Sequence, residues 1–180
     1  MRKMIIFKKA EWLIRHLQDE DQQTLVKWLS DSLVLEFYEG RDNPFDLQLV
    51  KEKFYQTDDA TERCIIEFDG EKIGYIQFYK LDEETKNQYG ISGDNLFGMD
   101  QFIGNPAYWN QGLGTRLVSI MVNVLIKEKH AKQIVMDPQV RNKRALRCYE
   151  KAGFKKVKLL SRHELHEGKY EDCWLIKYSS

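Results

Sequence analysis

The stretch LFGMDQFIGNPAYWNQGLGTR, Leu96 to Arg116, decides how the rest of the chain reads. Leu96 to Ile103 is apolar apart from Asp100 and Gln101 and reads as a central strand. After a short loop, Gly112 and Gly114 open an amphipathic helix from Gly114 to Lys129, with Leu117, Ile120, Met121, Val124 and Leu125 expected inward. Backbone N–H groups at a helix N-terminus have no intrahelical partners and sit at the positive end of the helix dipole, so bare glycine there lets a phosphate approach the backbone. The stretch therefore sets an anion seat beside a carboxylate, Asp100.

Working outward, Gln133 to Met136 reads as a short buried strand, and Asn142 caps a helix through Lys151 that ends at Gly153. Phe154 to Leu165 and Tyr170 to Tyr178 read as two strands turned at Glu167-Gly168. Upstream, Arg63 to Phe68 and Lys72 to Leu81 form a hairpin around Asp69-Gly70, and Asp82 to Asp94 reads as a polar, mobile loop. Residues 1–10 read as an N-terminal extension, Trp12 to Leu17 as the first strand, and Asp19 and Asp46 as the starts of helices. Ser30 to Gly40 reads as a short or broken helix. The order predicts an α+β fold, a mixed, mainly antiparallel central sheet flanked by helices, in a single domain over 1–180.

Composition narrows the function classes. At 42% hydrophobic and 31% charged the chain is built for a folded core, not disorder. Lys plus Arg equals Asp plus Glu at 28 each, so no basic excess points to nucleic acid. Cys64, Cys148 and Cys173 are odd in number and far apart, which argues against a disulfide framework or a zinc site and for a reducing cytoplasm. Met1 to Phe7 is too short and charged for a signal peptide, and no run reaches the roughly 20 apolar residues of a membrane span.

The two glycines alone are weak evidence. No G-K-[ST] follows them, as a P-loop needs, and the third glycine of a dinucleotide fingerprint is missing. Their context is specific. Trp109-Asn110-Gln111-Gly112-Leu113-Gly114, followed by Asn142-Lys143-Arg144-Ala145 and Cys148-Tyr149-Glu150-Lys151-Ala152-Gly153-Phe154, resembles the two acyl-CoA blocks of the GCN5-related N-acetyltransferase (GNAT) family, in order and spacing. One position departs: Trp109 stands where the common form has Arg or Gln, so its share of the pyrophosphate falls to Gln111 or Arg116.

The resemblance implies a GNAT fold and acetyl-CoA as acetyl donor, with no metal. It assigns the pyrophosphate to Gln111, Gly112, Leu113, Gly114, Thr115 and Arg116, the pantetheine arm to Asn142, further cofactor contacts to Phe102 and Ile103, and a place near the sulfur to Tyr149. Gly98 to Gly104, Val34 to Tyr38, Met136-Asp137-Pro138 and His163 to Gly168 narrow it further. Together they look like the aminoglycoside 6′-N-acetyltransferases, above all the acetyltransferase half of a bifunctional acetyltransferase–phosphotransferase. No phosphotransferase half follows within the sequence, so acetylation alone is implied.

Chemistry gives an independent check on two residues. Transfer from a thioester to an amine needs a neutral amine, a sink for its proton, and protonation of the leaving thiolate. Asp100, beside the anion seat, is suited to position the amine and accept its proton, directly or through water. Tyr149 either protonates the thiolate, since phenol (about 10) and thiol (about 8.5) ionise in comparable ranges, or packs under the cofactor. Aminoglycosides are polycations, so Glu36, Tyr38, Asp100, Asp137 and Asp172 are the expected substrate contacts, with Glu39, Glu171, Trp28 and Phe37 as further candidates. His163 and His166, three apart on a strand, read as surface groups near the turn, not as metal ligands. Two other readings remain open: a GNAT that acetylates a polyamine, a metabolite amine or a protein N-terminus, and a non-catalytic acyl-CoA-binding protein. Oligomeric state is not legible.

Overall fold

The computed structural model describes residues 4–56 and 60–179. Eight strands hydrogen-bond in the order β1-β2-β3-β4-β5-β6-β8-β7, where β1 is Ile5–Lys9, β2 Trp12–His16, β3 Glu62–Phe68, β4 Glu71–Lys80, β5 Leu96–Ile103, β6 Gln133–Met136, β7 Lys155–His166 and β8 Lys169–Ser179. Among the described residues six α-helices accompany them: α1 Gln22–Trp28, α2 Ser32–Leu35, α3 Leu47–Val50, α4 Glu83–Tyr89, α5 Leu113–Lys129 and α6 Lys143–Lys151. β5 and β6 are parallel, joined by α5, while β1/β2, β2/β3, β6/β8 and β7/β8 are antiparallel. The mixed, mainly antiparallel sheet expected from the element order is what forms. Two compact units divide the chain: Met1–Gln77 with Gln101–Trp109, and Phe78–Asp100 with Asn110–Ser180.

The first unit contains an aromatic and aliphatic core. Trp28 and Leu25 of α1, Phe45, Val50 of α3, Phe54, and Ile65 and Tyr75 of β3 and β4 are buried there, with Phe102 packed against them. α1 follows a 3-10 turn whose Asp21 is fully buried beside Arg15. The guanidinium donates to both Asp21 oxygens at 2.7 and 3.0 Å and to Glu67 at 2.8 Å, and Lys72 adds a contact to Asp21 at 2.8 Å. A buried carboxylate is tolerated because several donors share it. Burial pushes the Asp21 carboxyl up, but the bonds from Arg15, Lys72 and the Gln18 N–H outweigh it and hold the group below its ordinary range.

In the second unit, α5 buries Leu117, Val118, Met121, Val122, Val124 and Leu125, a wider apolar face than the sequence expectation, in which Ile120 stands half-buried. Both hairpin turns are as their sequences require. Asp69 and Gly70 take φ of 50° and 80°, Glu167 and Gly168 of 51° and 78°, the paired left-handed residues of a type I′ turn.

Two elements differ from the sequence reading. Ile5–Lys9, expected within an extension, pairs with β2 as an edge strand; residues 1–3 lie outside the described residues. Asp82 to Asp94, expected as a loop, contains α4. Its ends are specified by short-range chemistry: the Asp82 carboxylate accepts from Thr85 N–H at 2.8 Å, and Gly90 closes the helix at φ 66°. Polar composition hid a helix whose one large apolar group, Tyr89, is buried.

Candidate functional site

β5 and β6 are registered so that Gly98 lies opposite Val135, which carries Asp100 and Asp137 to corresponding places two residues further along parallel strands. Each carboxylate is held by a tyrosine. The Tyr79 hydroxyl of β4 donates to Asp100, and the Tyr89 hydroxyl of α4 donates to Asp137 Oδ2 at 3.0 Å. Burial, then the charge of the neighbouring carboxylates, pushes both phenols well above their ordinary range. They stay protonated and act as permanent donors.

Gly98 makes this arrangement possible. A Cβ there would lie 2.6 Å from Cε2 and 2.8 Å from the hydroxyl oxygen of Tyr79, so the ring occupies the space that any other residue would fill. His163 completes the cluster with Nε2 at 2.8 Å from Asp137 Oδ2. Tyr79, Tyr89 and His163 had no signal in sequence spacing, because the contacts join α4, β4 and β7 across long stretches of chain. The glycine two residues before Asp100 was a local hint for Tyr79 alone. The surface placement read for the histidines is corrected: His166 is buried, and His163 is half-buried with its ring on a carboxylate.

The cluster continues along β8. Gln139, buried, donates to Glu164 at 2.6 Å and accepts from Arg141 at 2.8 Å, and Glu171 faces Glu164 across the β7/β8 pair. Asp172 does not join it. One residue from buried Cys173 on β8, it is exposed on the opposite face, and its carboxylate accepts from Arg162 N–H at 2.8 Å.

The anion seat is built from α5 and its approach. Gly112, at φ 76°, is the helix N-cap and has no side-chain cap; a Cβ added there would meet nothing within 4 Å. Gly114 serves packing instead, since its Cβ would come within 3.2 Å of Cys148 Sγ on α6. The N–H groups of Leu113, Gly114 and Thr115 head the helix, and Arg116 N–H closes the first turn on Gly112 at 3.2 Å. Thr115 Oγ1 donates to Cys148 at 3.4 Å, pinning α6, while Gln111 and Arg116 are exposed.

On α6, Asn142 Oδ1 accepts from Ala145 N–H at 3.3 Å as the cap, a bond that uses the carbonyl and not the amide NH2. The Tyr149 ring lies 6.4 Å from Phe154. In the first unit, Phe102 is ringed by Tyr38 at 4.5 Å, Tyr75 at 5.5 Å and Trp28 at 6.1 Å, and Glu36 ends α2 half-buried. Ile103 offers its carbonyl to Trp109, whose indole N–H donates at 2.8 Å. That bond explains the departure at the first motif position: Trp109 fastens the loop after β5.

Residues 18–162 match the acetyltransferase (GNAT) domain family. The chain belongs to the GNAT acetyltransferases. This GNAT chain is 33% identical over 147 residues to the aminoglycoside N(6′)-acetyltransferase type 1 of Klebsiella pneumoniae, covering 79% of itself and 73% of that protein. A kanamycin resistance protein of Rhizobium radiobacter is 44% identical over 59 residues, 33% of this chain and 55% of that one. Among solved structures, AAC(6′)-Ib in complex with coenzyme A and kanamycin superposes with a TM-score of 0.74 at 27% identity, over 93% of this chain and 94% of that one. A GNAT acetyltransferase from Bacillus anthracis shares the fold at TM-score 0.79 and 18% identity, over 98% of each chain.

Proposed function

We propose that this acetyltransferase moves the acetyl group of acetyl-CoA to the 6′-amine of aminoglycosides, by direct attack and without a metal. One observation carries the acceptor side: two carboxylates, Asp100 within β5 and Asp137 just past β6, each accepting from a tyrosine hydroxyl, stand at corresponding places along neighbouring parallel strands of the unit that also bears the glycine-opened helix. Paired, oriented carboxylates suit a substrate with several ammonium groups. The similarity to an aminoglycoside N(6′)-acetyltransferase and to a kanamycin resistance protein supports the same acceptor.

Acetyl-CoA enters as a substrate. Open space above Gly112 and uncapped N–H groups from Leu113 to Thr115 fit its pyrophosphate, with Gln111 and Arg116 alongside. The Asn142 amide is assigned to the pantetheine arm, and Phe102 and Ile103 to the remaining cofactor contacts. Asp100 positions the neutral 6′-amine and takes its proton, directly or through water, as the nitrogen bonds to the acetyl carbon. The carbon–sulfur bond breaks, and Tyr149 protonates the thiolate. Asp137 binds another ammonium of the drug. For Glu36 and Tyr38, in the first unit, and for Asp172, substrate contact remains a proposal. We assign the protein to the cytoplasm, where Cys64, Cys148 and Cys173 stay reduced.

Release of free thiol from acetyl-CoA, measured over kanamycin, tobramycin, a polyamine and an N-terminal peptide, tests the assignment. Turnover with the drugs that Asp100→Asn reduces at least a hundredfold supports it. Turnover only with another amine removes the acceptor claim, and binding of acetyl-CoA with no turnover removes the enzyme.

A further inference from the structure

β7 carries His163 on a distortion. Pairing with β8 slips between Leu160 and Glu164, and Arg162 takes φ 50° within that slip. A bulge of this kind re-aims neighbouring side chains. Here the His163 ring reaches the end of β6, where its Nε2 and the Tyr89 hydroxyl both meet Asp137 Oδ2, at 2.8 and 3.0 Å. Among the described residues both bonds to this carboxylate fall on Oδ2, and its side chain is 31% exposed. Oδ1 is the oxygen left to a ligand.

We propose that His163 sets how strongly Asp137 holds a cationic acceptor, by setting the charge that this carboxylate presents to it. As imidazolium it forms a neutral pair with Asp137; as imidazole it leaves the carboxylate's full negative charge to an ammonium. The inference rests on the aminoglycoside reading and deepens it, since His163 acts through Asp137 and is a positioning residue.

The groups around the ring favour its charged form. Asp137 follows β6, Glu164 is next to it on β7, the Tyr89 hydroxyl comes from α4, Glu171 and Cys173 lie on β8, and Asp100 is the nearest acid on β5. The hydrogen bond to Asp137 raises the imidazole above its ordinary range against the opposing effect of burial, with the charges of Asp137 and Glu164 adding to the rise. The sign follows. A raised value means the pair stabilises the fold fully below the unfolded histidine value of about 6.5 and loses that contribution as pH rises through the folded value. An ammonium at Oδ1 competes with the same proton, so affinity for a polycation increases over that window and binding expels a proton.

The test is an NMR titration of the His163 ring with and without saturating kanamycin, beside KM and kcat profiles from pH 6 to 8 for wild type and His163→Gln. Glutamine keeps an N–H donor for Asp137 and does not titrate. The ring is expected to titrate above about 6.5 in the free protein and lower with kanamycin, and Asp137→Asn should lower it and abolish the drug-dependent shift. The ratio of wild-type to variant KM should fall several-fold between pH 6 and 8 while the kcat ratio stays level; titration of the drug itself cancels in both ratios. Kanamycin bound with an unmoved ring titration, or a KM ratio flat in pH, overturns the inference alone. No kanamycin binding, with acetyl-CoA still bound, overturns the acceptor assignment and this inference with it.

Discussion

Replacing Gly98 with Ala tests whether the Tyr79–Asp100 bond matters to the reaction. The new methyl would sit 2.6 Å from Tyr79 Cε2, against about 3.5 Å for an ordinary carbon contact, so the ring must retreat by about 0.9 Å. A hydroxyl–carboxylate bond near its usual length of about 2.7 Å does not survive that displacement. Losing a hydrogen bond to a charged group costs about 1.5–3 kcal/mol, which corresponds to roughly a ten- to hundredfold fall in kcat/KM if the bond holds Asp100 in its productive position. Overpacking adds about 1–3 kcal/mol of destabilisation, so urea unfolding is measured in parallel and kinetics are run well below the melting temperature. Tyr79→Phe removes the hydroxyl and keeps the ring, and should lose a similar amount of activity with less stability. The double variant should be no slower than the worse single one, because the bond is already gone. Full activity of folded Gly98→Ala, or losses that multiply in the double variant, would refute the role given to Tyr79.

The remaining expectations concern other parts of the chain. Asp21→Asn leaves the buried Arg15 short of its main counter-charge and should cost about 3–5 kcal/mol in urea unfolding. In the wild type the lowered Asp21 ionisation gives stability that is present above the unfolded value of about 3.9 and is lost as pH falls through the folded one, so acid unfolding should begin below about pH 4 at this cluster. Gly112→Val should raise KM for acetyl-CoA at least tenfold, because the branched side chain enters open space at a φ of 76°; titration calorimetry with coenzyme A checks it. Burial raises the Cys148 thiol and pushes Cys173 up to about 12, so in the native protein neither should react with iodoacetamide at pH 8 within minutes, whereas both should in urea, as read by mass spectrometry.

Legibility followed the range of the interactions. Turn pairs such as Asp69-Gly70 and caps such as Asp46, whose carboxylate accepts from Leu49 N–H at 2.8 Å, act within four residues and were readable. The glycine pair was readable as a position, though the two glycines do different things: Gly112 leaves space, and Gly114 lets α6 approach. α4 was missed because its surface is polar and its single anchor, Tyr89, bonds to Asp137, 48 residues away. Asp100 and Asp137 could each be picked by residue type, but not the groups that hold them, because Tyr79 comes from β4, Tyr89 from α4 and His163 from the β7 bulge, contacts set by tertiary packing. Asp172 and Glu171 illustrate the converse: residue type alone does not tell which face of β8 each of two adjacent acids takes.

The central claim concerns which bond is made and which carboxylate assists. Incubating the protein with acetyl-CoA and kanamycin and locating the new amide by NMR and mass spectrometry tests it most directly, with Asp100→Asn in parallel. The account predicts a single acetyl group on the 6′-nitrogen, formed at least a hundredfold more slowly by Asp100→Asn despite unchanged acetyl-CoA binding. Acetyl on another nitrogen, or equal rates for the variant, would contradict it.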